Sequence, residues 1–253
     1  MATKKAIAQK ATQELATAPD YIKTGGNRGS ENVSNEDLQL PRIAVCQALS
    51  PQKSKKKPEY IEGIAEGMLF NTLTGELYPD GITFTPVTFQ KRWFVWQTQD
   101  TGGGLNGIFD FDQQAEAEAA TKKLNDDSSD DQEFECVLTH EHLVLFPDGT
   151  EIILSMAKSK LKVSKKFNSL VRLNGGDRFS RNYTLNSIED ENKNGKEYWN
   201  FKVANQLGKS WPSQELYAQA EELYASINQG TTYGGDYTEE TGADGAVDEA
   251  DDY

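Results

Sequence analysis

The sequence lacks most of what an enzyme or a membrane protein needs. No run approaches the eighteen or so apolar residues of a membrane span. The first residues hold no apolar block of the signal-peptide kind, so a cytoplasmic protein is expected. Of 253 residues only two are cysteine and two are histidine. Cys46 and Cys136 sit in apolar, strand-like contexts, which suits buried thiols in a reducing compartment. His140 and His142 lie two apart, as a zinc pair would, but no cysteine or acid cluster supplies the other ligands at a familiar spacing. There is no Gly-x-Ser-x-Gly elbow and no dinucleotide fingerprint, and the glycines at 102–104 are not followed by the Gly-Lys-Ser/Thr of a P-loop. Ser155 and Lys158 match Ser-x-x-Lys without its companion motifs. Two histidines so close together, with no third partner, leave little from which to build a triad. The chain therefore reads as a binding protein, not an enzyme, with no cofactor and no metal.

Charge is plentiful and unevenly placed. The formal net charge is −14, the hydrophobic fraction is 36%, and the mean hydropathy of −0.68 implies that part of the chain never folds. Residues 110–135 carry ten acids and two bases, and residues 230–253 carry eight acids and no base. The rest holds 24 bases and 22 acids, so the acidity belongs to two segments and not to the body.

Within that body the sign reverses over 156–203, with eleven Lys/Arg against five Asp/Glu. Aromatic residues stand among the bases: Phe167, Phe179, Tyr183, Tyr198, Trp199 and Phe201. Cationic side chains suit phosphates and flat rings suit unstacked bases, the two needs of a single-stranded nucleic-acid groove. A basic face over core aromatics meets the same description. Residues 157–173 predict an amphipathic helix, with Val163, Phe167, Leu170 and Val171 on one stripe and Lys158, Lys162, Lys165 and Arg172 on another. The glycines at 175 and 176 end it. Residues 178–188 then alternate as a strand with Phe179, Arg181, Tyr183 and Leu185 on one face. The turn signal at 192–195 leads into a second strand over 196–203.

The remaining pattern is of short strands. Residues 1–36 read as a flexible N-terminal arm. Lys53, Lys55, Lys56 and Lys57 fall in a loop that reads as solvated. Ile82–Gln97 is the strongest strand, with Ile82, Phe84, Arg92, Phe94 and Trp96 expected on one face and Val87, Phe89, Trp93 and Val95 on the other. A helix is expected over 112–124, a hairpin over 133–156 turned by Asp148 and Gly149, and a last helix over 212–227 with a stripe of Leu216, Ala220, Leu223 and Ile227. From these patterns the expected phosphate contacts are Lys158, Lys162, Lys165, Lys166, Arg172, Arg178 and Arg181, with Lys91 and Arg92 from the long strand. The expected stacking rings are Tyr183, Tyr198, Trp199, Phe94 and Trp96.

The tail ending Val247-Asp248-Glu249-Ala250-Asp251-Asp252-Tyr253 and the run from Tyr183 to Asn200 resemble the single-stranded-DNA-binding proteins of tailed bacteriophages, and the segment from Leu40-Pro41-Arg42 to Trp96 is similar to uncharacterised phage early proteins sometimes given the same label. The resemblance implies a β-rich α+β chain built on an OB-like antiparallel barrel with two or three peripheral helices, occupying residues 37–229 with an acidic insertion at 110–135. It implies sequence-nonspecific binding of single-stranded DNA in phage DNA replication and recombination, inside the infected bacterial cell. Residues 230–253 would be a disordered acidic tail that competes with DNA for the basic groove. Through Asp248, Glu249, Asp251, Asp252 and Tyr253 the tail would recruit replication proteins such as DNA polymerase. No membrane partner is expected, and self-association as a homo-oligomer is left open. The competing readings are a virion or assembly protein and an acidic interaction protein that regulates a host factor. A DNA mimic has no use for a basic segment.

Overall fold

The computed structural model describes residues 29–30, 32, 39, 41–98, 103–129, 132–193, 195–206, 208 and 210–228. The tail 230–253 and most of the arm 1–36 lie outside them. All described elements fall within the unit formed by residues 35–253.

Nine strands and three α-helices are described. β1 (Ile43–Val45), β2 (Leu69–Asn71) and β3 (Leu77–Tyr78) form a small antiparallel sheet. The larger, six-stranded sheet has the order β7-β6-β4-β8-β9, from β4 (Ile82–Gln97), β6 (Phe134–Leu145), β7 (Glu151–Ala157), β8 (Tyr183–Glu191) and β9 (Glu197–Asn205). β5 (Leu105–Asp110) also pairs with β4. The helices are α1 (Gln114–Asp127), α2 (Lys160–Asn174) and α3 (Gln214–Asn228). The chain is thus a β-rich α+β protein, as the alternation in the sequence indicated.

The sheets are not closed into a barrel, and the reason lies in β4. One edge of this strand is taken by β6 over residues 85–97, while the other is divided between β8 at 82–84 and β5 at 92–96. Two neighbours on one edge part the sheet instead of curling it round. Among the described residues, the segment of β1 bridges the outer strands β7 and β9. Arg42 makes a single parallel bridge to Ile153 of β7. The Gln47 side-chain amide then bonds both the N–H (2.9 Å) and the carbonyl (2.7 Å) of Trp199 in β9. There a side chain does the work of a strand.

Apolar side chains on both faces of β6 and β7 make two cores. Val144, Ile152, Leu154 and Met156 join Phe84, Phe167, Tyr183, Leu185, Phe201 and Val203 under α2. Leu143, Leu145 and Ile153 join Val87, Phe179, Leu216, Ala220 and Leu223 under α3. The expected helix stripes are the docked ones: Val163, Leu170 and Val171 pack on the first core, and Leu216, Ala220 and Leu223 are buried in the second. Gly175 ends α2 at φ +67°, a conformation open to glycine at little cost.

Two expectations for the strands change. β4 carries a register shift between Pro86 and Thr88, so Val87 and Thr88 both face α3 and the alternation reverses beyond them. Phe89, not Arg92, therefore shares the face of Phe84. The strand expected from 178 begins only at Tyr183, because Arg178–Ser180 is one turn of 3-10 helix. Arg178 and Arg181 project from a turn and not from a strand face.

The small sheet is positioned by Gly67. A Cβ there would come within 2.7 Å of the Trp199 ring, and the backbone has φ +77°. Gly67→Ala is expected to cost roughly 2–4 kcal/mol, the sum of left-handed strain and overpacking. Urea denaturation reads this directly; an unchanged midpoint would mean that Trp199 swings clear and does not fix the β1–β2 region.

Candidate nucleic-acid interface

The outer face of α2 is where the expected phosphate contacts gather. Lys162, Lys165, Lys166 and Arg172 are all exposed, and their spacing of three, one and six places them along the helix side opposite the buried Ser164 and Phe167. No acid occurs between residues 156 and 176. Among the described residues these four cations make no ion pair; Lys162 lies near enough to Asp190 to help hold that carboxyl below the usual range, behind the larger effect of a hydrogen bond from Asn200. Lys158 is different: it is paired to Glu135 at 2.8 Å, half-exposed, and worth little as an ion pair.

Beside α2, on the same side of the sheet, lies a buried polar cluster that the sequence did not announce. The bulge in β4 turns Phe89 and Lys91 toward this side, paired with His142 and His140. Ser164 of α2 bonds His140 Nδ1 (2.7 Å) and His142 Nε2 (2.8 Å). From the 3-10 turn, Arg178 reaches in to donate to His142 Nδ1 (2.7 Å) and Asn168 Oδ1 (3.0 Å). Its guanidinium lies over the rings of Phe89 (5.5 Å) and Phe167 (5.3 Å), and no carboxylate touches it among the described residues. Burial lowers its pKa to about 10, still far above neutrality. Arg178 is a structural cation as well as part of the positive field.

Both histidines are held neutral. Burial first, then the charges of Lys91 and Lys165, bring His140 down to about 4. Burial, then Arg178 and His140, push His142 well below its ordinary value. No group of three or more metal-ligating side chains converges among the described residues.

The rest of the expected site is dispersed. Arg92 is held by Glu141 (3.7 Å), which also binds Arg42 (3.1 Å), all three largely buried on the α3 side of the sheet. That geometry makes Arg92 a structural partner and takes it from the phosphate contacts. Tyr183 and Phe94, each 1% exposed, are core rings with no face for a base. Phe94 stacks on the half-buried Trp96 (6.0 Å). Trp199 packs on the core, and Tyr198 is half-buried with its hydroxyl on Asp190 (3.1 Å). Arg181 is placed over Trp211, 4.2 Å from the ring. Ser155 and Lys158 have separate partners in Arg42 and Glu135, and form no reactive pair. The tail residues Asp248, Glu249, Asp251, Asp252 and Tyr253 lie outside the described residues.

Two exposed rings that adjoin cations were missed. Trp211 is 61% exposed and Phe111 48% exposed, the latter with the Lys91 ammonium 4.1 Å from its centroid. Each joins a flat open surface to a cation. A signal for Trp211 existed: it stands in the polar run Ser210-Trp211-Pro212-Ser213, where no core requires a tryptophan. Phe111, beside the acids at 110 and 112, gave none.

Comparison with known proteins adds one match. The family model for the Pam3 phage gp34-like protein matches residues 8–233. No curated protein and no solved structure matches the chain.

The histidine pair predicts a pH dependence. Unfolded histidines titrate near 6.5 and the folded ones far lower, so below pH 6.5 the unfolded chain binds more protons. Their contribution is complete above 6.5 and is lost as pH falls toward the folded values. Thermal melts are expected to fall between pH 6.5 and 5, above the range of ordinary carboxylates. His142→Gln should flatten that slope; an unaltered slope would assign it to other groups.

Proposed function

This chain belongs to the Pam3 phage gp34-like protein family, which supports a phage protein and no more, and we propose from its surface that it binds single-stranded DNA without sequence preference during phage DNA replication or recombination, in the cytoplasm of the infected cell. The observation that carries the reading is the outer face of α2. Lys162, Lys165, Lys166 and Arg172 stand exposed in a segment without an acid, in a protein whose total charge is −14. A solvated surface in so acidic a chain would be expected to interleave both signs. Cations kept apart from available carboxylates favour a polyanionic ligand.

Stacking falls to Trp211 and Phe111, the exposed rings that each adjoin a cation, with Tyr198 as a half-buried third. A base on Trp211 would leave its phosphate near Arg181, and one on Phe111 near Lys91. The likeness to OB-type binders enters at this level only, since an exposed helix face and two rings need no closed barrel. The protein acts by binding and not by catalysis. The acidic segment 230–253 competes for the same cations and, through Asp248, Glu249, Asp251, Asp252 and Tyr253, docks on a replication protein such as the polymerase.

Titration of tryptophan fluorescence with oligo(dT) at several salt concentrations tests the core of this. Log K is expected to fall against log salt by about 0.7 per phosphate neutralised, and a Lys165→Gln, Lys166→Gln double variant should lower the slope. Trp211→Ala should weaken binding by about 1–3 kcal/mol with the fold intact, whereas Arg92→Gln should lower stability and leave binding unchanged. Equal affinity for duplex would remove the stacking role. No binding at low salt would remove the function, and a virion or assembly role would then stand first. Deleting 230–253 is expected to raise affinity at low salt; weaker binding after the deletion would exclude competition by the tail.

A further inference from the structure

The polar cluster under α2 has a direction, and that direction follows from counting donors. A guanidinium has only N–H groups to offer. Arg178 lies 2.7 Å from His142 Nδ1, so this nitrogen is the acceptor and the proton of neutral His142 is on Nε2. His142 Nε2–H then donates to Ser164 Oγ (2.8 Å). The serine hydroxyl proton goes on to His140 Nδ1 (2.7 Å), which fixes the proton of His140 on Nε2. The relay therefore runs from Arg178 through His142 and Ser164 to His140.

What lies at its far end is the point of interest. His140 Nε2–H has no protein acceptor among the described residues, and the residue is 5% exposed. The neighbouring charges are those of Lys91 from β4 and Lys165 from α2. Phe89 covers the ring edge-on at 5.2 Å, Met156 stands opposite His140 on β7, and Ser164 and His142 are spent on the relay. No carboxylate is among the groups that shift either histidine. The donor chain is anchored in a buried cation and ends at His140, whose strand partner is Lys91 and whose helix contact, Ser164, is followed by Lys165.

We propose that His140 Nε2–H, Lys91 and Lys165 form a binding point for one phosphate oxyanion, with Ser164, His142 and Arg178 as positioning residues that keep the imidazole neutral and its proton directed at the ligand. The inference deepens the single-stranded-DNA reading and rests on it for the source of the phosphate, a backbone diester. The exposed ring of Phe111, against Lys91, would lie next to the neighbouring base. The arrangement uses a neutral donor where a third cation would repel the two lysines.

Nitrogen-15 spectra of the histidines in the full chain test this. Both rings are expected as Nε2–H tautomers, and addition of oligo(dT) is expected to move the His140 Nε2 resonance while leaving His142 Nδ1 on Arg178. The His140 pKa should rise from about 4 on binding, because an anion stabilises the imidazolium. His140→Phe keeps the ring and removes the donor, and should weaken oligo(dT) binding about tenfold; Ser164→Ala should weaken it less and release the tautomer. Inorganic phosphate forms the second arm. If oligo(dT) binds and the His140 signals do not move, the phosphate point is wrong while the DNA reading stands. If oligo(dT) fails to bind and inorganic phosphate moves them, the point stands and the DNA reading falls. An Nδ1–H tautomer for His140 overturns the relay whether or not the variants fold.

Discussion

The structure depends on one interruption of a period of two. Strand residues alternate between faces, so an extra residue reverses every side chain beyond it. β4 takes that extra residue at Val87. Before it, Ile82 and Phe84 face the core under α2; after it, Phe89 and Lys91 regain that face, while Thr88, Gln90 and Arg92 turn toward Glu141 and α3. Without the bulge, Phe89 and Lys91 would stand on the α3 side and Arg92 would be driven against the histidines. The bulge thereby decides which cations are neutralised and which are not.

The two sides of the sheet handle buried arginine in opposite ways. Under α3, Arg42 and Arg92 share Glu141, and charges removed from water are met by an opposite charge. Losing that carboxylate would leave buried cations uncompensated, at a cost of about 3–5 kcal/mol. Under α2, Arg178 has two aromatic faces, a neutral imidazole and an amide oxygen instead. Those groups lower the cost of burial without cancelling the charge. The positive field therefore passes outward to the side where Lys91, Lys165, Lys166 and Arg172 meet solvent. The α3 side thus buries its arginines against a carboxylate, whereas Arg178 on the α2 side has none among the described residues.

Much of this was legible in the sequence. Apolar spacing located all three helices within a few residues, and alternation located β4 from Ile82 to Gln97 and the β6–β7 and β8–β9 hairpins. These elements are local: their turns carry glycine at positive φ, at 149 and 195, and their stripes repeat at the helix or strand period. The gathering of bases on α2 was equally plain, because a helix fixes the relation of neighbours three and four apart.

What the sequence determined by itself, then, is the set of elements, the acid-free basic helix and the separation of acidic segments from the body. Tertiary structure alone decided which of those bases are spent. Arg92 and Lys158 find carboxylates 49 and 23 residues away, and Arg178 finds His142 36 residues away. Tyr183 and Phe94 looked like available rings because alternation tells which residues share a face, not whether that face is covered. The bulge at Val87 left no mark in composition or spacing, since its effect is a register between strands. Distances of that kind are set by the pairing of remote segments, and a one-dimensional pattern does not contain them.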